Sequence, residues 1–304
     1  MMSADLQPDP TAIGNVSTPP FAVTPDPSTL FGVRARRLRT YAAVSPLKPY
    51  LDFVAGIVDA QQAIVPTLPP VEMPDEEALE RARAFQMPPL DRVRTTLDDT
   101  LETTLDALFD AARHVGMTRE AGEALARVRQ VDGAERARMV QDVLSHDMPV
   151  ETLAEHVFVA AALQVHFARL ASRLDAKKLV PVGDGACPAC GGPPVASLIV
   201  EWPNAHGNRF CACSLCSTLW NYVRIRCCSC GTTKGIGYQE IEGSPGTIKA
   251  ETCDECRTYV KVMYQNKDVT IEPVADDIGT LALDMMMREG PYRRAAFNPF
   301  LLGY

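Results

Sequence analysis

Four Cys-x-x-Cys pairs constrain this chain more than any other feature: Cys187/Cys190, Cys213/Cys216, Cys227/Cys230 and Cys253/Cys256. The third and fourth pairs repeat the first and second at an offset of 40 residues, and the same offset relates Gly191 to Gly231 and Thr218 to Thr258. The chain therefore carries an internal duplication of a unit Cys-x2-Cys-Gly-x21-Cys-x2-Cys-x-Thr. Two residues between cysteines let both sulfurs reach one ion from a single tight turn. Two such turns supply the four thiolates that a tetrahedral zinc or iron ion takes. A glycine after the second cysteine can turn left-handed, which aims local N–H groups at the sulfurs. A lone Cys-x-x-Cys reads as incidental thiols or a disulfide, whereas four in one register read as two metal sites. Ligand type alone admits zinc and iron equally. A duplicated unit should once have stood alone, so consecutive pairing is expected: Cys187, Cys190, Cys213 and Cys216 at one ion, and Cys227, Cys230, Cys253 and Cys256 at the other. The alternative is a cross-brace. Cys211 and Cys228 break the repeat, because their counterparts are Glu251 and Pro188. They read as bystander thiols rather than ligands.

Each unit is too small for a self-sufficient core, so metal binding should supply much of its folding free energy. Ten cysteines clustered at metal spacing point to a reducing compartment. Residues 1–30 hold no apolar signal region. The longest apolar stretch, Val157 to Ala168, is too short for a membrane span and is interrupted by Gln164 and His166. A cytoplasmic protein that is not integral to the membrane is expected. Nucleic acid is disfavoured by the net charge of −8. The cysteine region itself, residues 187–264, carries seven Lys/Arg against six Asp/Glu, and two divalent four-thiolate sites would make it negative.

With 304 residues, about two domains are expected. Residues 1–28 are Pro-rich and read as a disordered tail. A helix to about Val44 carries Arg34, Arg36, Arg37 and Arg39, which read as a solvated basic face, with docking of an acidic partner as the alternative. Further helices are predicted around Leu51–Val58 and over Glu76–Phe85, Thr95–Val115, Thr118–Arg129, Ala134–Ser145 and 151–174. The last is apolar nearly all round and belongs in the middle of a bundle. His156 and His166 on it lie too far apart to share an ion. Strands are predicted over Val195–Val200, Tyr222–Arg226 and Tyr259–Tyr264, and a final helix over Asp276–Arg288. The sequence has no nucleophile elbow and no P-loop, and Gly235-Ile236-Gly237 reads as a hairpin fragment. No enzyme activity is expected and no catalytic residue is assigned.

Several stretches stand out together: Cys187-Pro188-x-Cys190-Gly191 with Pro194-Val195-Ala196-Ser197, and Cys213-x-x-Cys216-x-Thr218-x-Trp220. To these are added Lys249-Ala250-Glu251-x-Cys253 with Tyr259-x-Lys261, Val274-Ala275-Asp276-Asp277, Asn298-Pro299-Phe300-Leu301, and the Arg-rich first helix with Pro46-Leu47. In these stretches the chain resembles the FdhE family of formate dehydrogenase accessory proteins. The resemblance covers roughly residue 30 onwards and is most specific in the C-terminal half. It implies an α+β multidomain protein: an all-helical N-terminal domain, two small tandem rubredoxin-like (zinc-ribbon-like) β modules, and a C-terminal helix. The corresponding boundaries are 29–180, 181–226, 227–266 and 267–304. It also implies a cytoplasmic biogenesis factor that binds the catalytic subunit of formate dehydrogenase, with two metal ions, iron by resemblance and zinc by equal chemistry. Carried over residue by residue, only the eight paired cysteines are ligands. The other readings are a zinc-ribbon nucleic-acid-binding protein and a thiol–disulfide redox protein. The apolar tail Phe297–Leu302 is expected to grip the client together with the metal modules, so that its removal would leave stability unchanged.

Overall fold

A computed structural model describes residues 18–301 of the chain. After one short strand, seven α-helices follow: α1 (Pro27–Ala42), α2 (Lys48–Ile64), α3 (Glu76–Ala84), α4 (Asp99–Ala112), α5 (Arg119–Gln130), α6 (Gly133–Ser145) and α7 (Leu153–Ala171). Side chains cap five of them: Asp26, Asp75, Asp98, Thr118 and Asp132 each accept a backbone N–H of the first turn. The Asp98 cap explains why α4 starts at Asp99 and not at Thr95. α7 is buried on nearly every side, and α2, α4, α5 and α6 pack around it. His156 and His166 are both buried in this bundle. Burial pushes the His166 imidazole down to about 4.

The strands are β1 (Ala22–Val23), β2 (Pro194–Ile199), β3 (Arg209–Cys213), β4 (Leu219–Tyr222), β5 (Ile236–Gln239), β6 (Ile248–Cys253), β7 (Thr258–Tyr264) and β8 (Arg293–Arg294). They form one sheet in the order β1-β4-β3-β2-β7-β6-β5, with β8 beside the start of β7. The duplication is visible in it: β5, β6 and β7 follow β2, β3 and β4 at the repeat offset, and each half is an antiparallel meander. The halves are joined by β2 and β7, which run parallel from Ser197↔Val262 to Ile199↔Tyr264. The expectation of two tandem modules is therefore corrected in one respect. The four-cysteine sets are consecutive, but their strands share one continuous sheet. β2, first in its half, is buried throughout, whereas its counterpart β5 is a half-exposed edge. The strand expected over Tyr222–Arg226 ends at Tyr222, and Val223 and Ile225 stand exposed beyond it.

Residues 1–17, the first part of the expected disordered tail, lie outside the described residues. Over residues 18–28 the expectation of disorder is corrected: Ala22 and Val23 pair with Trp220 and Leu219, and α1 already begins at Pro27. The pairing gives these residues a backbone ladder that composition does not reveal.

The predicted last helix is two, α8 (Pro273–Gly279) and α9 (Leu281–Arg288), broken at Thr280. α8 fastens the helical bundle to the sheet. Arg34 is 1 % exposed; its Nε meets Glu272 Oε1 at 3.0 Å and its Nη2 meets Ser217 Oγ at 3.1 Å. Arg37 grips Asp276 through both carboxylate oxygens, at 2.6 and 2.8 Å, and reaches Asp268 at 2.9 Å. The arginine face of α1 is thus not solvated at these two positions, and its acidic partner belongs to the same chain. Gly279 permits the approach, because a Cβ there would lie 2.4 Å from the Tyr41 ring.

The tail is corrected as well. Phe300 and Leu301 are buried, the Phe297 ring stacks on His146 at 3.9 Å, and Asn298 Nδ2 donates to Asp277 Oδ2 at 2.8 Å. The apolar side chains of Phe297–Leu301 pack on their own protein rather than facing outward; residues 302–304 lie outside the described residues. Below them is a buried ionic cluster. Lys261 Nζ sits 3.2 Å from Asp277 Oδ1 and 2.5 Å from Asp284 Oδ2, and Arg294 pairs with both carboxylates. No helix among the described residues is long and apolar enough to cross a membrane.

Candidate metal centres

The fold gathers the eight paired cysteines into two sets, Cys187/Cys190/Cys213/Cys216 and Cys227/Cys230/Cys253/Cys256, with the sulfurs of each set within 4.8 Å of one another. The sets are consecutive, not cross-braced. Close sulfur pairs measure 3.6 Å (Cys187–Cys216) and 3.4 Å (Cys190–Cys213) in the first, and 3.7 Å (Cys227–Cys256) and 3.7 Å (Cys230–Cys253) in the second. A tetrahedron with metal–sulfur bonds of ~2.3 Å has edges of about 3.8 Å. The donor sets therefore fit one four-coordinate ion each, with sulfur ligands that suit zinc or iron.

Local backbone geometry repeats with the sequence. Cys187 N–H donates to Gly192 O and Gly191 N–H to Cys187 O, both at 2.8 Å; Cys227 to Thr232 and Gly231 to Cys227 do the same at 2.8 and 2.9 Å. Gly191 and Gly231 share a φ of 73°, the left-handed turn that closes the knuckle. The second knuckle of each unit turns through Ser217 (φ 60°) and Arg257 (φ 54°). N–H groups of Leu215 and Cys216 point at Cys213 Sγ, both at 3.4 Å, and that of Ser229 at Cys227 Sγ, at 3.4 Å. Such N–H groups offset thiolate charge around a bound ion. The repeated threonines, conspicuous in the sequence but given no role there, lie beside the fourth cysteines. Thr218 Oγ1 is 3.2 Å from Cys216 Sγ, and Thr258 Oγ1 is 3.0 Å from Cys256 Sγ. With the cysteine ionised, the hydroxyl donates.

The thiols do not ionise alike. Burial pushes Cys187 and Cys190 well above the ordinary thiol range. Cys213 is burdened by the same burial, yet hydrogen bonds from Cys187, Cys190 and Cys216 hold it well below that range. In the second set burial lifts Cys253. Cys256 falls to about 7, because the Thr258 hydroxyl and the neighbouring thiols outweigh its burial. Four thiolates confined together repel, and a bound cation removes that conflict.

The two cysteines outside the repeat meet each other. Cys211 on β3 and Cys228 between the second-set ligands are buried and in hydrogen-bonding contact, which lowers Cys211 and raises Cys228. Arg209 stands beside both, and its Nη2 pairs with Glu251 Oε1 at 2.7 Å. This contact crosses the two halves, so a linear repeat gives no sign of it.

The helical bundle covers the first set. Leu90 N–H donates to Ala189 O at 2.9 Å, Arg92 N–H to Cys190 O at 3.3 Å, and Gln164 Nε2 to Ser214 O at 2.8 Å. Gln164 interrupts the most apolar helix of the chain. In the structure it holds a knuckle.

Comparison with known proteins places this arrangement. Models of the FdhE N-terminal, central and C-terminal domains match residues 19–184, 186–224 and 225–301. The chain belongs to the FdhE family. It is 45% identical over 306 residues to the protein FdhE homolog of Rhizobium meliloti (strain 1021), covering 100% of both chains. It is 34% identical to protein FdhE of Escherichia coli O9:H4 (strain HS), covering 90% of this chain and 88% of that one. The crystal structure of the FdhE protein from Pseudomonas aeruginosa superposes with a TM-score of 0.83 at 33% identity, covering 93% of this chain and 99% of the other. For an FdhE chain, the boundary between the central and C-terminal models falls two residues before Cys227, where the second four-cysteine unit begins.

Proposed function

We propose that this FdhE-family chain is a cytoplasmic accessory factor in the assembly of formate dehydrogenase, that it binds that enzyme's catalytic subunit, and that it catalyses no reaction of its own. Cys187, Cys190, Cys213 and Cys216 hold one ion and Cys227, Cys230, Cys253 and Cys256 a second. Iron is favoured by family likeness, and zinc has the same ligand chemistry. When bound, the ions neutralise the thiolates and brace hairpins too small to stand on their own apolar core. The observation that carries this reading is the run of three FdhE models in order across residues 19–301.

The test is capture. Tagged protein is recovered from otherwise identical cells with and without the catalytic subunit of formate dehydrogenase, and formate dehydrogenase activity is assayed in cells lacking the factor. The reading expects specific recovery of the catalytic subunit and loss of enzyme activity. Unchanged activity, with no subunit recovered, would refute it.

A further inference from the structure

The two four-cysteine sets are copies of one unit, yet their surroundings are opposite. All four residues of the first set are buried, whereas in the second Cys230 is exposed and Cys256 is half-buried. The cause can be followed residue by residue. Between the first-set cysteines stand Pro188-Ala189 and Ser214-Leu215; their counterparts are Cys228-Ser229 and Asp254-Glu255. Small and apolar residues let the bundle close over the first set, through the contacts of Leu90, Arg92 and Gln164 described above. Pro88 also lies against Gly191, 3.2 Å from where its Cβ would be. At the corresponding place in the second set, Gly231 faces Asp184 and Arg226, both partly open to solvent. The second-set knuckles are held by the end of the first half of the sheet and by the C-terminal segment. The Tyr222 hydroxyl donates to Cys227 O at 3.1 Å, Arg226 Nε to Gly231 O at 2.8 Å, and the Tyr292 hydroxyl to Asp254 at 2.7 Å.

We infer that the second centre is the one that exchanges its ion with the surroundings, and that Cys230 is the sulfur that lets go first. This rests on reading both sets as metal centres. Exchange at a four-thiolate site requires an incoming donor, such as a thiolate or a chelator nitrogen, to come within bonding distance before a protein sulfur leaves. The helical bundle closes that approach at the first centre. At the second, Cys230 stands at the surface. As the incoming donor bonds, Cys230 Sγ gives up its bond and takes a proton from water, with no change of oxidation state. The first centre is then a fixed joint between sheet and bundle, and the second is open to a donor or acceptor of metal.

Full-length protein loaded with zinc is the material for the test. Its zinc content is measured first. It is then mixed with excess 4-(2-pyridylazo)resorcinol, and release is followed by absorbance. Aliquots are pulsed with N-ethylmaleimide and the labelled cysteines mapped by mass spectrometry. The inference expects one zinc per chain to leave fast and the other about tenfold or more slower, the scale on which outer-shell contacts act. Label should appear at Cys230 and Cys256 with the fast phase, and at Cys187, Cys190, Cys213 and Cys216 only with the slow one. Cys230→Ser should lose the fast phase and keep the slow one. Release of both ions at one rate, or early label at Cys187 and Cys190, overturns the inference. A starting content below two zinc ions per chain is a separate result, and refutes the metal reading itself.

Discussion

Truncating Phe300 is the sharpest test of the packed tail. Its side chain is 1 % exposed, and replacing such a phenylalanine with alanine costs about 3–5 kcal/mol through lost burial and the cavity left behind. At roughly 2–4 °C per kcal/mol for a chain of this size class, Phe300→Ala should melt about 6–20 °C lower. Deleting Phe297–Tyr304 should cost more. It also removes the Phe297 ring from His146 and the Asn298 amide from Asp277, which is completely buried. Losing that donor takes away one of the partners that hold the Asp277 carboxylate. Thermal melts followed by circular dichroism give the answer, with capture of the formate dehydrogenase catalytic subunit measured below both melting temperatures. A Phe300→Ala protein that melts within about 2 °C of its parent but no longer captures the subunit would refute the packing argument and return the tail to the partner surface.

Elemental analysis of protein made in its native host should find two metal ions per chain, one for each set, and one in Cys253→Ser; one or none in the parent would refute the paired-site reading. Thr258→Val removes the hydroxyl 3.0 Å from Cys256 Sγ and should weaken zinc at the second centre by about 10–100-fold in chelator competition; unchanged affinity would deny the hydroxyl any role. Lys261→Met should destabilise the fold at neutral pH by about 3–5 kcal/mol, because it leaves buried carboxylates short of a cation. Burial pushes the Asp277 carboxyl up, but Arg294 and Lys261 hold it below its usual value. The stability this gives is present above the unfolded carboxyl value of about 4 and is lost as pH falls through the folded one. Removing Lys261 raises the folded value, so the acid limb of the stability–pH profile should move to higher pH, and a loss equal at every pH would refute the electrostatic cause.

The two four-cysteine sets were legible because their spacing is local. Two cysteines on one turn must sit three positions apart, and a duplication repeats that spacing wherever the unit lands. The bundle was legible for a similar reason: Leu101, Leu105, Leu108 and Ala112 fall on one face and are all buried. The strands were less so. β3 is five residues, all buried, with Arg209 among them, so it shows no half-solvated alternation; β6 alternates only over Ile248-Lys249-Ala250-Glu251, and its Glu251 is buried as well. The difference between the centres was present in Pro188-Ala189 against Cys228-Ser229. Nothing local says that the bundle closes over one pair and not the other.

What periodicity cannot supply is the partner of a buried charge. Arg34 and Glu272 are 238 positions apart, and Arg37 and Asp276 are 239 apart. On α1 alone, both arginines look like residues for solvent. Apolar patterning tells which face is hidden but is indifferent to what hides it, since one leucine packs about as well against many others. A buried ion pair is not indifferent: stripping one partner costs about 3–5 kcal/mol. Sliding α1 by one turn along α8 would break Arg34–Glu272 and Arg37–Asp276 together and drive the Tyr41 ring away from Gly279, while burying similar apolar area. The joint between bundle and sheet therefore takes its register from the charged residues. Because Arg34 also holds Ser217, next to Cys216, that register reaches the first centre directly.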